Sequence, residues 1–174
     1  MSNIPMPGEI PNDYLSEESA GENDPKDKSV HQLNSFLRGE ISAAETYRMA
    51  IDKIADSEQL AAAANLGLLR DIQEEHGRAA QALRDRIREI GGEASDSSGA
   101  WGAWAKFTQG TANLFGDSSS LKALKEGEEH GLKDYRAGLD SIDMISSQLV
   151  DNQLIPAQQR HINLLDQLIG SANA

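Results

Sequence analysis

"IQEEHGRA", residues 72–79, and "PAQQRHIN", residues 156–163, decide how the rest of the chain is read. Each contains Gln-x-x-His, Gln73 to His76 and Gln158 to His161, and that spacing puts both side chains on one face of a helix. Both pairs interrupt apolar stripes. Gln73 and His76 fill the gap between Leu69 and Ala80, while Gln158 and His161 fill the gap between Leu154 and Leu165. Two further stripes have similar gaps: Glu40 lies between Phe36–Leu37 and Ala44, and Glu128 between Leu124 and Tyr135. A polar group on a core-facing position needs a partner, a proton or a metal, because an isolated buried charge is very costly.

The stripes predict four amphipathic helices. Helix A is expected to start near Ser29, a cap candidate, and to bury Leu33, Phe36, Leu37, Ala44, Tyr47, Ile51 and Ile54. A turn around Asp56 and Ser57 leads to helix B, with Leu66, Leu69, Ala80, Leu83, Ile87 and Ile90, ended by Gly91-Gly92. Helix C begins near Ser118–Ser120 and presents Leu121, Leu124, Tyr135, Leu139 and Ile142. Helix D presents Leu154, Leu165, Leu168 and Ile169, with Pro156 expected to kink it or mark a restart. Short A–B and C–D connections make two antiparallel hairpins. The B–C connection is long enough to run the length of a bundle, and its WGAWAKFTQGTANLFG (residues 101–116) has the spacing of a short helix packed along it.

The four polar gaps fall at one height. Glu40 lies 16 residues before Asp56, and Gln73 and His76 lie 16 and 19 residues after Ser57. With a turn near Asp143, Glu128 lies 15 residues before it, and Gln158 and His161 lie 15 and 18 after it. The halves also repeat. "GEISAAETYR" (39–48) matches "GEEHGLKDYR" (127–136) at an offset of 88 (40 to 128, 47 to 135), and the Gln-x-x-His pairs repeat at an offset of 85 (73 to 158, 76 to 161).

Composition bounds what surrounds this layer. The 174 residues suffice for one domain plus a tail. Residues 1–28 hold four of the five prolines and more acids than bases, so they are read as a disordered leader, with the bundle over 29–172. The absence of cysteine excludes disulfides and thiolate chemistry. A formal charge of −12 offers no basic stripe to phosphates, so no nucleic-acid partner is expected. No apolar run approaches the roughly 18–20 residues of a membrane span, and no signal-peptide pattern is visible, so the expected location is the cytoplasm. Glu74, Glu75 and Glu129 fall off the core stripes by helical phase and are expected to be solvated, as are His31 and His130. Helix faces suit a homodimer, without naming a partner.

On these motifs the chain resembles the ferritin-like superfamily, which includes bacterioferritins and rubrerythrins, and within it an uncharacterised bacterial family labelled only as a domain of unknown function. The resemblance implies an all-α, ferritin-like four-helix bundle of two antiparallel hairpins joined by a long crossover carrying a short helix. It further implies that Glu40 and Glu128 are terminal carboxylates of a metal site, His76 and His161 its imidazole ligands, and Tyr47 and Tyr135 tyrosines beside them. Gln73 and Gln158 stand where that superfamily has the two carboxylates that bridge its irons.

The substitution changes the charge balance. Four carboxylates and two neutral imidazoles match two divalent cations, whereas Glu40 and Glu128 alone match one. A Gln carbonyl can ligate a hard cation but is neutral and bridges poorly. Two readings follow. The site holds one divalent metal (iron, zinc or manganese) in a protein tied to metal or oxidative stress, with ferroxidase chemistry disfavoured. Alternatively it holds none, and the amides close a hydrogen-bond network in a bundle with a structural or interaction role.

Overall fold

The computed structural model describes residues 24–55, 66–99 and 118–172. The leader up to residue 23, the turn at Asp56 and Ser57, and the crossover stretch 101–116 lie outside them. The described residues form α1 (Pro25–Ala55), α2 (Leu66–Glu89), α3 (Ser118–Gly138), a 3₁₀ turn (Leu139–Ser141), α4 (Met144–Leu149), a π-helical turn (Val150–Leu154) and α5 (Ile155–Ala172), with no strand among them. Since α4, the π turn and α5 run on without a break, the architecture is the expected four-helix bundle, with α1 paired to α2 and α3 to α5.

Helix α1 begins at Pro25, four residues earlier than the Ser29 cap predicts. The Asp24 carboxylate accepts from the Lys26 backbone N–H at 2.9 Å, and proline suits a first helical position because its missing N–H would have had no partner there. Ser29 is buried inside the helix, where its Oγ accepts from the Asp143 N–H at 2.9 Å and ties the start of α1 to the start of α4. Asp143 in turn caps α4 and takes the Arg86 guanidinium of α2 at 2.7 Å, joining the two hairpins at this end.

Helix α2 ends as its two glycines require. Gly91 adopts φ +74°, its N–H bonds to Arg88 O at 2.9 Å, and the Gly92 N–H bonds to Ile87 O at 2.8 Å. A Cβ on Gly92 would lie 2.6 Å from Val30, so glycine also lets the chain turn tightly over α1. Residues 93–98 then run along α1 in the direction of its C-terminus. Asn34 holds Glu93 O and Ser95 N, Arg38 reaches Ser95 Oγ, and Ser98 Oγ donates to Glu45.

Pro156 restarts the fourth helix rather than breaking it. Lacking an N–H and crowding the carbonyl four residues back, it is preceded by a turn in which the Ile155 N–H reaches Val150 O, five residues away. The wider turn absorbs the proline within one continuous rod. No helix among the described residues is long and apolar enough to cross a membrane.

The core has two apolar halves. One gathers Leu33, Phe36, Leu37, Leu83, Ile87, Val150 and Leu154; the other gathers Ala50, Ile51, Leu69, Ile72, Leu121, Leu124 and Leu165. Between them lies a layer of buried polar side chains: Glu40, His76, Glu128, Gln158 and His161.

Candidate metal centre

Each helix delivers its polar residue by the same logic. Three- and four-residue apolar spacing turns one stripe inward, and the polar residue in the gap is carried into the core with it. Glu40 from α1, His76 from α2, Glu128 from α3, and Gln158 and His161 from α5 are each at most 5% exposed.

Glu128 is the hub. Its Oε1 accepts from the Tyr47 hydroxyl at 2.6 Å and faces His76 Nε2 at 3.0 Å. Its Oε2 accepts from Gln158 Nε2 at 2.6 Å and faces His161 Nδ1 at 3.3 Å. The carboxylate thus has four partners for about four lone-pair sites. The Gln158 amide also donates to the Glu128 backbone carbonyl at 3.1 Å. Glu40 stands one step further out: Oε2 meets His76 Nδ1 at 2.7 Å, and Oε1 accepts from the Tyr135 hydroxyl. The imidazoles of His76 and His161 lie edge to face with centroids 4.9 Å apart.

His76 therefore has a carboxylate on each ring nitrogen. Burial alone would push its pKa down, but the Glu128 and Glu40 carboxylates outweigh that and raise it to about 10, giving an imidazolium that donates to both acids. Burial works the other way on Glu128, yet the His76 charge and the hydrogen bonds from His161 and His76 hold it down at about 2. Tyr47 and Tyr135 are raised well above 10.0, by burial first and then by the neighbouring Glu128 and Glu40 charges, and so remain neutral donors. Among the described residues, no buried side-chain nitrogen or oxygen lacks a partner.

These shifts give a pH profile for the metal-free protein. A raised imidazole stabilises fully below its ordinary 6.5 and loses that contribution as pH climbs toward about 10. A depressed carboxylate stabilises fully above its ordinary 4.5 and loses it as pH falls toward about 2. The melting temperature of the metal-free protein should therefore be highest between pH 4.5 and 6.5 and fall on both sides. A melting temperature that stays level from pH 6.5 to 10 would contradict the imidazolium.

Seven of the eight residues singled out in the sequence meet in this network: Glu40, Tyr47, His76, Glu128, Tyr135, Gln158 and His161. Gln73 is half-buried and enters none of these hydrogen bonds. Glu75, expected to be a solvated acid, instead faces His161 Nε2 at 3.0 Å and accepts from Arg160 at 3.0 Å. Burial raises its pKa, but His161 and then Arg160 more than offset this, and the net shift is downward. Both imidazoles thus have a carboxylate on the nitrogen pointing away from the other: Glu40 on His76 Nδ1 and Glu75 on His161 Nε2. A signal for Glu75 lay in the repeat, because the offset of 85 that matches the histidines also matches Glu75 with Arg160, opposite charges on facing helices. Glu74 and Glu129 are exposed and pair with Arg78 and Lys125, and His31 and His130 are on the surface.

The inner atoms of His76, Glu128 and His161 all lie within 4.8 Å of one another, a spacing that one cation can bridge. The helical frame and this buried layer define a ferritin-like four-helix bundle. The chain belongs to the family described as "Domain of unknown function (DUF2383)", whose sequence pattern matches residues 28–141. That span holds Glu40, His76 and Glu128 but ends before Gln158 and His161. Among solved structures the chain is similar to a ferritin-like, diiron-carboxylate protein from Bacillus anthracis str. Ames. The TM-score is 0.63 at 16% identity, covering 83% of this chain and 97% of that one. No curated protein matches the chain.

Proposed function

We propose that this protein binds a single divalent cation through His76, Glu128 and His161, in the degenerate counterpart of a two-metal carboxylate centre. The observation that carries the reading is the convergence of three buried atoms within 4.8 Å, with the far nitrogen of each histidine held by its own carboxylate; His76 would release its Nε2 proton as the ion binds. A metal-ligating histidine ordinarily donates its other N–H to such a partner, which fixes the ring and raises its basicity. Glu40 and Glu75 fill that role here, so Glu40 acts on His76 instead of entering the cluster.

The donor set fits one cation rather than two. Glu128 is the one carboxylate of the cluster itself, with Glu40 and Glu75 on the far nitrogens of the histidines, and Gln158 turns its amide nitrogen, not its carbonyl, toward Glu128. A bound divalent ion would supply Lewis acidity at this layer. The chain itself holds Glu128 in place through Tyr47 and Gln158, orients the imidazoles through Glu40 and Glu75, and packs apolar side chains above and below the layer. A role in metal or oxidative stress is part of this proposal.

A specific observation favours a second reading, a metal-free bundle: the network is already complete, with His76 closed between two acids. Metal content after tag-free purification, followed by zinc and iron titration, separates the two. The single-ion reading expects close to one equivalent in the wild type and a loss of binding in His161→Ala. No uptake at micromolar metal would leave the structural network as the function of the layer.

A further inference from the structure

The two halves of the site are built from a repeat, yet only one of its two amides is engaged. Gln158 clamps Glu128, while Gln73, its match at an offset of 85, enters no hydrogen bond of the network (73 to 158). The halves also differ on the partner helix. Gly131 sits inside α3, where glycine is disfavoured by its backbone freedom and so calls for a reason. A Cβ placed on Gly131 would lie 2.9 Å from Gln158 Nε2 and 3.5 Å from its Cδ, the space the amide occupies to reach Glu128 Oε2 and the Glu128 backbone carbonyl. At the offset of 88 that matches Glu40 with Glu128, the residue corresponding to Gly131 is Ala43 (43 to 131), which carries the methyl that Gly131 lacks. The neighbouring matched pair, Gly39 and Gly127, is glycine in both halves, and a Cβ on Gly39 would meet nothing within 4 Å, so crowding distinguishes Gly131 from it. The small cavity between α1 and α3 is lined by Ala43, Gly131 and Gln158 but not by Gln73, as expected if the amide crosses only where the methyl is missing.

We propose that Gly131 and Ala43 are positioning residues that decide which buried carboxylate receives an amide clamp: Gly131 seats Gln158 on Glu128, and the Ala43 methyl keeps Gln73 from Glu40. The bearing of this asymmetry on metal rests on the single-ion reading above. Gln158 holds Glu128 as the ligand, and Glu40 is left free of an amide and turned to His76.

Hydrogen exchange of the glutamine side-chain amides in the metal-free, ¹⁵N-labelled protein tests the seat directly. Gly131→Ala should speed exchange at Gln158 Nε2 by about tenfold or more, as expected for a buried donor that loses its acceptors. Ala43→Gly should slow exchange at Gln73 and leave Gln158 as it was. An unchanged Gln158 rate in Gly131→Ala, or an unchanged Gln73 rate in Ala43→Gly, overturns the proposal. Zinc uptake supplies the functional arm. Gln73→Glu alone should leave the stoichiometry at that of the wild type, and Ala43→Gly/Gln73→Glu should add a second ion. Equal uptake by the two variants also overturns it. If the wild type takes up no zinc, the single-ion reading falls, and the exchange rates still decide this proposal.

Discussion

A His76→Ala variant is expected to lose about 3–5 kcal/mol of stability at neutral pH, the range for removing one partner of a buried ion pair and stranding the other. Here two acids are stranded. Glu40 and Glu128 are both nearly fully buried, and His76 is the cation between them, at 2.7 Å from one and 3.0 Å from the other. Tyr135 and Tyr47 still donate to them in the variant, but neutral donors do not cancel two negative charges in a low-dielectric layer. The pH response should invert as well. Acidification from about pH 7 to about pH 5 should stabilise the variant, since protonating one carboxylate removes the repulsion. Over the same interval the wild type should gain little, because the His76 contribution is lost mainly above pH 6.5 and is nearly complete from about pH 7 to about pH 5. Combining His76→Ala with Glu40→Gln should recover much of the loss for the same reason. Urea unfolding of the three proteins measures this. A loss below about 1 kcal/mol for His76→Ala would show that the layer is not held by its charges.

The parts of this protein that were legible in its sequence are those set by helical period. Period fixes which residues face inward, so the four stripes, the polar gaps in them and their common height could all be read before any contact was known. The bundle follows from the stripes and the two short connections. What period does not fix is how far a side chain reaches across to a neighbouring helix. Glu75 illustrates this: it lies one residue from His76 and off the α2 core stripe, yet packing beside α5 brings it to the outer nitrogen of His161. Gln73 fails in the opposite sense. It has the right phase and height, but its engagement depends on one methyl group on another helix. The start of α1 carries a local signal of its own. Asp24-Pro25 is a cap followed by a first-turn proline, set at the end of a Pro-containing acidic segment whose composition points to disorder.

The charge at the hub can be tested by adding to it. Gln158→Glu is nearly isosteric, but it replaces a donor with an acceptor where two acceptors wait: Glu128 Oε2 at 2.6 Å and the Glu128 carbonyl at 3.1 Å. Without metal, two carboxylates in contact cannot both stay ionised at neutral pH, and the Glu128 carbonyl loses the second donor it has beside its helical one. A loss of about 3 kcal/mol or more is expected. A divalent cation at His76, Glu128 and His161 reverses the sign of that contact, because the added charge becomes a ligand or a counter-charge. Zinc should therefore raise the melting temperature of Gln158→Glu more than that of the wild type. Saturation at about 100 times the dissociation constant contributes about 2.7 kcal/mol and would restore most of the loss. The paired measurement separates the two readings of the layer. If the layer is only a hydrogen-bond network, Gln158→Glu is destabilised and zinc does not rescue it. If the layer is a metal centre short of one charge, the variant that is less stable alone becomes the tighter binder, and a zinc-induced shift no larger than that of the wild type would refute this.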